Sequence, residues 1–139
     1  MPTNTNKMTC PLESVEQQRV ISWAKWQRYE DFTIDSLLFA IPNGGSRAKR
    51  GNLSLEAIRM KKEGVKAGVP DLMLALPKAP YHGLFIEMKR KLKSLSTVSA
   101  AQKEWHSKLR DRGYRVAVCY GADEAINIIK EYLYENEDE

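Results

Sequence analysis

Two acidic residues and a lysine lie at the ends of two short apolar runs in the middle of the chain. Asp71 directly precedes five apolar residues, and Glu87 and Lys89 end a second apolar run. The connection between the runs contains two prolines and ends in glycine, which predicts two buried strands joined by a hairpin turn. A hairpin symmetric about Ala79 places Asp71 opposite Glu87, with their Cβ atoms about 4.5–5.5 Å apart. Two carboxylates at that separation are able to hold one cation between them.

The alternation of side chains along a strand brings the charged residues together. Successive residues point to opposite faces, so Glu87 and Lys89 share one face while Ile86 and Met88 occupy the other. Burying three charged groups without partners is costly, so we expect a metal ion or an ion pair at this end of the hairpin. The simpler alternative is a salt bridge between Glu87 and Lys89, with Asp71 serving only as a turn residue.

Length and composition narrow the classes of protein. The 139 residues fit one domain with a core of its own. No apolar run approaches the ~18 residues of a membrane-spanning helix, and residues 1–9 lack the apolar segment of a signal peptide. Cys10 and Cys119 lack metal-site spacing and are expected to be free thiols. We therefore expect a cytoplasmic protein without a membrane partner.

The net charge of +4 is unevenly distributed along the chain. Residues 1–121 carry a formal charge of +10 and residues 122–139 carry −6. A basic body favours a polyanionic partner such as nucleic acid. The acidic residues 135–139 are expected to form a frayed tail that repels nucleic acid from that end.

Hydrophobic periodicity predicts an α/β fold with the element order α–β–α–β–β–α–β–α. The predicted sheet is mixed, has about four strands and carries helices on both faces. Residues 1–12 are expected to be disordered, and residues 13–134 to form the domain. The predicted helices and strands span residues 13–29, 37–41, 53–63, 72–76, 84–89, 99–112, 114–120 and 123–134.

Acidic residues also lie on the core-facing side of the first predicted helix. Glu13 and Glu16 extend an apolar stripe toward the helix N-terminus, so either carboxylate is able to reach a metal held by the sheet. Alternatively, both complement the positive end of the helix dipole.

Glycines and basic residues follow the first predicted strand, residues 37–41. Asn43-Gly44-Gly45 predicts a loop whose backbone N–H groups can approach a phosphate, although Asn-Gly is also a common turn pair. The basic residues after it favour phosphate contacts over a merely solvated charged face. The candidate DNA-binding residues are Asn43, Gly44, Gly45, Arg47, Lys49, Arg50, Lys62, Lys66 and Arg90.

Two polar residues on the helix after the hairpin have competing interpretations. Ser99 and Gln102 have the spacing of a capping box, which is a complete structural explanation for Gln102. His106 is expected to be a surface or groove residue rather than a ligand. With only two histidines and no paired cysteine pattern, a zinc site is not expected.

Several sequence motifs of the chain together resemble those of the VRR-NUC branch of the PD-(D/E)xK nuclease superfamily. The matching segments run from about Glu13 to Leu133, which is nearly the whole chain. The form that the chain resembles is the small stand-alone domain of phages and bacteria. The motifs on which the resemblance rests are Pro42-Asn43-Gly44-Gly45, Gly64-Val65-Lys66-Ala67-Gly68-Val69-Pro70-Asp71, Ile86-Glu87-Met88-Lys89 and the later Ser-Ala-Ala-Gln.

The resemblance implies a restriction-endonuclease-like core and an Mg²⁺- or Mn²⁺-dependent DNA endonuclease. Asp71, Glu87, the Met88 backbone carbonyl and a first-helix glutamate would hold the metal, and Glu16 is our choice over Glu13. Lys89 would hold the attacking water, and Gln102 would help to position it.

The resemblance also suggests a substrate and an assembly. Related junction resolvases are homodimers, so branched DNA such as a four-way (Holliday) junction and a homodimer are expected here. Four aromatic residues around the end of the first helix favour an interface, although they could equally pack inside one subunit. They are Trp23, Trp26, Tyr29 and Phe32.

Other functions remain open from the sequence. A flap-cleaving or restriction-type nuclease of the same superfamily would use the same residues, and a non-catalytic DNA-binding module would keep the fold alone. The chain has neither a Gly-rich nucleotide-binding loop nor a Ser-His-Asp set, so no nucleotide cofactor is expected.

Overall fold

The computed structural model describes residues 10–43 and 54–135 of the chain. The predicted termini 1–9 and 136–139 and the predicted loop residues Gly44, Gly45, Arg47, Lys49 and Arg50 lie outside these ranges. The helices are α1 (Glu13–Ala24), α2 (Leu55–Lys62), α3 (Ala100–Asp111) and α4 (Ala122–Tyr134). The strands are β1 (Arg28–Tyr29), β2 (Phe32–Thr33), β3 (Leu38–Ala40), β4 (Leu72–Leu74), β5 (Leu84–Lys89) and β6 (Arg115–Tyr120).

A four-stranded mixed sheet forms the centre of the molecule, as predicted. Its strand order is β3-β4-β5-β6; the β3–β4 and β4–β5 pairs are antiparallel, and the β5–β6 pair is parallel. The parallel pairing requires a crossover connection, and α3 supplies it.

The central hairpin has the predicted register. Leu72 pairs with Ile86 and Leu74 pairs with Leu84, so the pairing is symmetric about residue 79. Extending the same register by one position places Asp71 opposite Glu87. The carboxylate pair is therefore a direct consequence of how this hairpin is joined.

Helices cover both faces of the sheet, and the two faces differ in chemistry. On one face Leu84, Ile86 and Met88 are fully buried and pack into the hydrophobic core with α1 and α4. On the other face Phe85 meets the ring of Tyr114, just beyond α3, with ring centroids 5.3 Å apart. Because strand residues alternate, Glu87 and Lys89 lie on this second face, under α3.

The first helix is shorter than predicted. It ends at Ala24 because the chain then forms a small hairpin of β1 and β2, with Glu30 at a positive φ of 54° in its turn. Of the four aromatic residues proposed for an interface, Tyr29 is buried, and Trp23 and Phe32 pack against the core. Trp26 alone among them is largely exposed, at 85 %.

None of the helices in the two described ranges is long and apolar enough to cross a membrane.

A close backbone approach joins the segment before Asp71 to the start of α3. Gly68 has a φ of 90°, and a Cβ atom built on it would lie 2.8 Å from the carbonyl carbon of Ala101. Gly68 is three residues before Asp71, and Ala101 directly precedes Gln102. Glycine at this position therefore allows the segment before Asp71 to lie against the helix turn that carries Gln102.

We predict that Gly68→Ala destabilises the fold more than Gly64→Ala does. Both glycines have positive φ values, which cost other residues about 1–2 kcal/mol. A side chain at Gly64 meets nothing within 4 Å, whereas one at Gly68 also overpacks against α3, for about 1–3 kcal/mol more. Urea unfolding of the two variants measures the difference, and equal losses would contradict the close approach.

Candidate active site

Asp71 is anchored to the next strand by its own side chain. Its Oδ2 accepts a 2.7 Å hydrogen bond from the backbone N–H of Met88. The main-chain oxygen of Asp71 accepts a further 2.8 Å bond from the N–H of Ile41. The carboxylate is thus held at the end of β4, half-buried and facing the end of β5.

Glu87 is the most deeply buried acidic group of the cluster, with 1 % of its surface exposed. Burial raises its pKa to about 9, helped by a hydrogen bond with the Asp71 carboxyl and by the Asp71 charge. In the protein alone, Glu87 therefore keeps its proton near neutral pH, because its buried carboxyl is not easily desolvated as a negative charge beside Asp71.

Lys89 is buried in the same cluster, at 4 % exposure. Its Nζ donates to the backbone oxygen of Thr97 at 2.8 Å and to Oε1 of Gln102 at 3.0 Å. A lysine ammonium has three N–H donors. In the described part of the chain, side-chain hydrogen bonds use two of the three.

Gln102 completes the capping box and also contacts Glu87 and Lys89. Its Oε1 accepts from the N–H of Ser99 at 2.9 Å, and the Ser99 hydroxyl accepts from the Gln102 N–H, which completes the capping box. The same side chain donates from Nε2 to Oε2 of Glu87 at 3.2 Å while Oε1 accepts from Lys89. Glu87 and Lys89 are therefore linked through an amide.

His106 is buried, so the predicted position at the surface is wrong. Only 3 % of it is exposed, and its Nε2 lies 3.2 Å from Oε1 of Glu87. Burial lowers the pKa of His106, and the nearby charges of Arg110 and Lys89 lower it further. The sequence contained a signal for this position. Residues four apart lie on the same face of a helix, so His106 is expected on the same side of α3 as Gln102.

The choice of Glu16 over Glu13 as the carboxylate near the cluster is not supported by the structure. Glu16 is buried, but its Oε2 accepts from the N–H of Ala122 at 3.2 Å and its Oε1 accepts from Arg19 at 3.0 Å. It caps the start of α4, beside Gly121, where any Cβ would lie 2.7 Å from Oε2.

Glu13 is the helix carboxylate that faces the cluster. Burial raises its pKa, and the charge of Asp71 adds to this effect, while Lys89 and Arg90 oppose it. Glu13 in turn raises the pKa of Glu87. Three residues of helix, almost one turn, separate the two candidates, and sequence periodicity could not decide which end of the stripe meets the sheet edge.

Arg90 also has a different use from the predicted DNA contact. Its Nε donates to the backbone oxygen of Pro11 at 3.2 Å, and one terminal nitrogen donates to the oxygen of Cys10 at 2.7 Å. These bonds tie the segment that leads into α1 to the end of β5. Arg90 therefore helps to hold Glu13 beside the cluster.

The remaining described candidates for DNA contact lie at the surface. Asn43, Lys62 and Lys66 are exposed, and α2 has no buried residue. A depression of about 390 Å³ lies beside them. Its lining is Ile41, Pro42, Glu63, Gly64, Val65, Lys66, Val69 and Trp105.

The donor set fits a hard divalent cation that keeps part of its water. Asp71 and Glu87 offer adjacent carboxylate oxygens, which such a cation prefers as ligands, and the raised pKa of Glu87 indicates that negative charge there lacks compensation in the protein alone. Within the described residues, no three His, Cys, Asp or Glu side chains form a group that could hold a metal. Glu13 would therefore act at longer range, through water.

We predict that Glu16→Ala lowers stability by about 1–3 kcal/mol, because it leaves the buried Ala122 N–H unsatisfied. Glu13→Ala is the matched control on the same helix and should cost about 0.3–1 kcal/mol, the contribution of a carboxylate near a helix N-terminus. Urea unfolding in EDTA measures both. A larger loss for Glu13→Ala would contradict the capping role of Glu16.

We also predict that stability without divalent cations falls as pH rises from about 4.5 to about 9. In that window Glu87 keeps its proton in the folded state and loses it in the unfolded state, so folding takes up a proton. Glu87→Gln, which mimics the protonated carboxyl, should remove most of this slope. Urea unfolding at several pH values in EDTA tests it, and an identical slope in the variant would contradict the assignment.

Comparison with known proteins agrees with this geometry. Residues 13–123 match the model of the VRR-NUC domain family. A solved structure described as a VRR_NUC domain protein is 32 % identical in sequence and has a TM-score of 0.73, with 88 % of each chain covered. No curated protein gives a significant match. The family match spans well over half of the chain, so the protein belongs to the VRR-NUC domain family, a nuclease-type family of DNA-processing proteins.

Proposed function

We propose that this protein is an Mg²⁺- or Mn²⁺-dependent DNA endonuclease that hydrolyses phosphodiester bonds. The observation that carries the proposal is the buried Asp71–Glu87 pair, joined through Gln102 to Lys89. A binding module has no use for a carboxyl whose burial, next to a second carboxyl, raises its pKa to about 9.

The metal site would use Asp71 and Glu87 as carboxylate ligands and the Met88 carbonyl as a third oxygen. The backbone N–H of Met88 already donates to Asp71 Oδ2, so the neighbouring ends of β4 and β5 that carry these groups are held together. A bound divalent cation would offset negative charge on the phosphate and on the leaving oxygen. Glu13 would hold a water of that cation, the role that the sequence had given to Glu16.

The protein groups around this position fit hydrolysis by water. The water oxygen forms a new bond to phosphorus, one P–O ester bond breaks, and the leaving oxygen takes up a proton. The third N–H of Lys89 would donate to the attacking water or to a phosphate oxygen, which stabilises the charge that builds up. Gln102 fixes the Lys89 ammonium, so this donor is oriented before DNA binds.

The surface near the site suits a DNA backbone. The end of α2 carries Arg59, Lys61 and Lys62, and Lys66 lines the neighbouring depression. The same depression is lined by Val69 and Trp105, which are close in sequence to Asp71 and His106. These cations would contact phosphates and guide the strand toward the carboxylates.

The substrate class that we propose is branched DNA, with a four-way junction as the leading candidate, cut by a homodimer. A single site nicks one strand in each encounter, and paired nicking needs two sites related by a two-fold axis. The exposed Trp26 supports such an interface, because aromatic residues are enriched at subunit contacts. Light scattering at micromolar concentration tests it, and a mass of one chain together with full paired nicking would contradict the dimer.

We predict that Asp71→Asn and Lys89→Met each reduce cleavage by at least about 100-fold, since each removes charge from the reacting centre. DNA affinity should be unchanged or slightly higher for Asp71→Asn, because a repelling carboxylate is lost. Lys103→Met is the matched control, an exposed lysine next to Gln102 on α3.

The assay uses linear duplex, flap and four-way-junction DNA, each with Mg²⁺, Mn²⁺ or EDTA. Cleavage in EDTA, or near wild-type cleavage by either variant, would contradict the proposed function. Cleavage that prefers flaps or linear duplex would retain the nuclease and replace the junction as its substrate.

A further inference from the structure

Two residues of α3, one helical turn apart, hold different oxygens of the same carboxylate. Gln102 Nε2 lies 3.2 Å from Oε2 of Glu87, and His106 Nε2 lies 3.2 Å from Oε1. A carboxylate turns about the single bond that joins it to its side chain. Contacts on both oxygens fix that rotation, whereas a contact on one oxygen does not.

Gln102 contacts only one of the two carboxylate oxygens of Glu87. Its amide oxygen accepts from Lys89 and from Ser99, so its amide nitrogen is the one group left to contact Glu87. His106 adds the contact that Gln102 cannot make. Both contacts together use two of the roughly four lone-pair positions of the carboxylate, which leaves others for Asp71 and for a cation.

Burial makes this contact consequential. His106 and Glu87 are 3 % and 1 % exposed, so water does not readily replace a lost hydrogen-bond partner. An apolar residue at position 106 would fill the space under α3 and leave Oε1 of Glu87 without its partner from that helix. An unsatisfied buried acceptor is costly, and the carboxylate would turn to avoid it.

We propose that His106 is a positioning residue, which donates from Nε2–H to Glu87 and sets the plane of that carboxylate for the divalent cation. This inference rests on the proposed nuclease function. His106 does not touch the phosphate or the cation, and it acts through Glu87 alone.

Three substitutions separate the hydrogen bond from the packing. His106→Gln places an amide nitrogen the same number of bonds from Cα as the imidazole Nε2 and can still reach Glu87. His106→Asn has the same amide one bond shorter and cannot reach it. His106→Leu fills the space without a donor. Urea unfolding in EDTA checks that each variant folds. If His106→Leu does not fold, the comparison of His106→Gln with His106→Asn tests the hydrogen bond.

The first readout is Mn²⁺ binding, followed by the paramagnetic resonance signal of free Mn²⁺ in the absence of DNA. Loss of a group that orients a metal ligand typically weakens binding by about 10- to 100-fold. We expect a weakening of about 10-fold in His106→Leu and His106→Asn, and of less than about 3-fold in His106→Gln. The second readout is kinetic: kcat should fall in the same order while KM for DNA stays constant.

The outcomes distinguish the two levels of the argument. Equal Mn²⁺ binding in all variants, or an equal loss in the Gln and Asn variants, would overturn the positioning role and leave the nuclease intact. A folded wild-type protein that neither binds Mn²⁺ nor cuts DNA would overturn the proposed function, and the role of His106 with it.

Discussion

Two adjacent carboxyl groups, one half-buried and one fully buried, are the constraint on which the rest of this structure depends. Asp71 and Glu87 meet because the hairpin of β4 and β5 is symmetric about its turn. Their proximity and burial raise the pKa of Glu87 to about 9. Desolvated like charges are unfavourable unless hydrogen bonds or a cation compensate them. The surrounding elements supply the hydrogen bonds.

The helix α3 provides most of that compensation from one side. Its first turn carries a capping box, and the glutamine of that box reaches both Glu87 and Lys89. Its next turn places His106 against the other oxygen of Glu87. Gly68 allows the helix to begin close to the segment before Asp71. Helix capping and arrangement of the site are thus the same set of contacts, and a change in one alters the other.

The first helix contributes from the edge of the sheet through a division of labour between two glutamates. Glu16 caps α4 and pairs with Arg19, which fixes the helix against its neighbour. Glu13, nearly one turn earlier, faces the charged cluster. Arg90 fixes the chain just before Glu13 by bonding the oxygens of Cys10 and Pro11. Arg90 therefore stabilises the site indirectly, through the N-terminal segment that positions Glu13.

The sequence by itself determined the fold class, the register of the hairpin and the family. Apolar runs, turn residues and a capping-box spacing are local signals, because each depends on residues that are only a few positions apart in the sequence. The tertiary structure alone decided which glutamate faces the site and that Arg90 bonds the N-terminal segment. Each of these depends on where a helix end meets a sheet edge or on which residues come close from far apart in the chain. Such distances are set by packing, and no periodicity in the sequence specifies them.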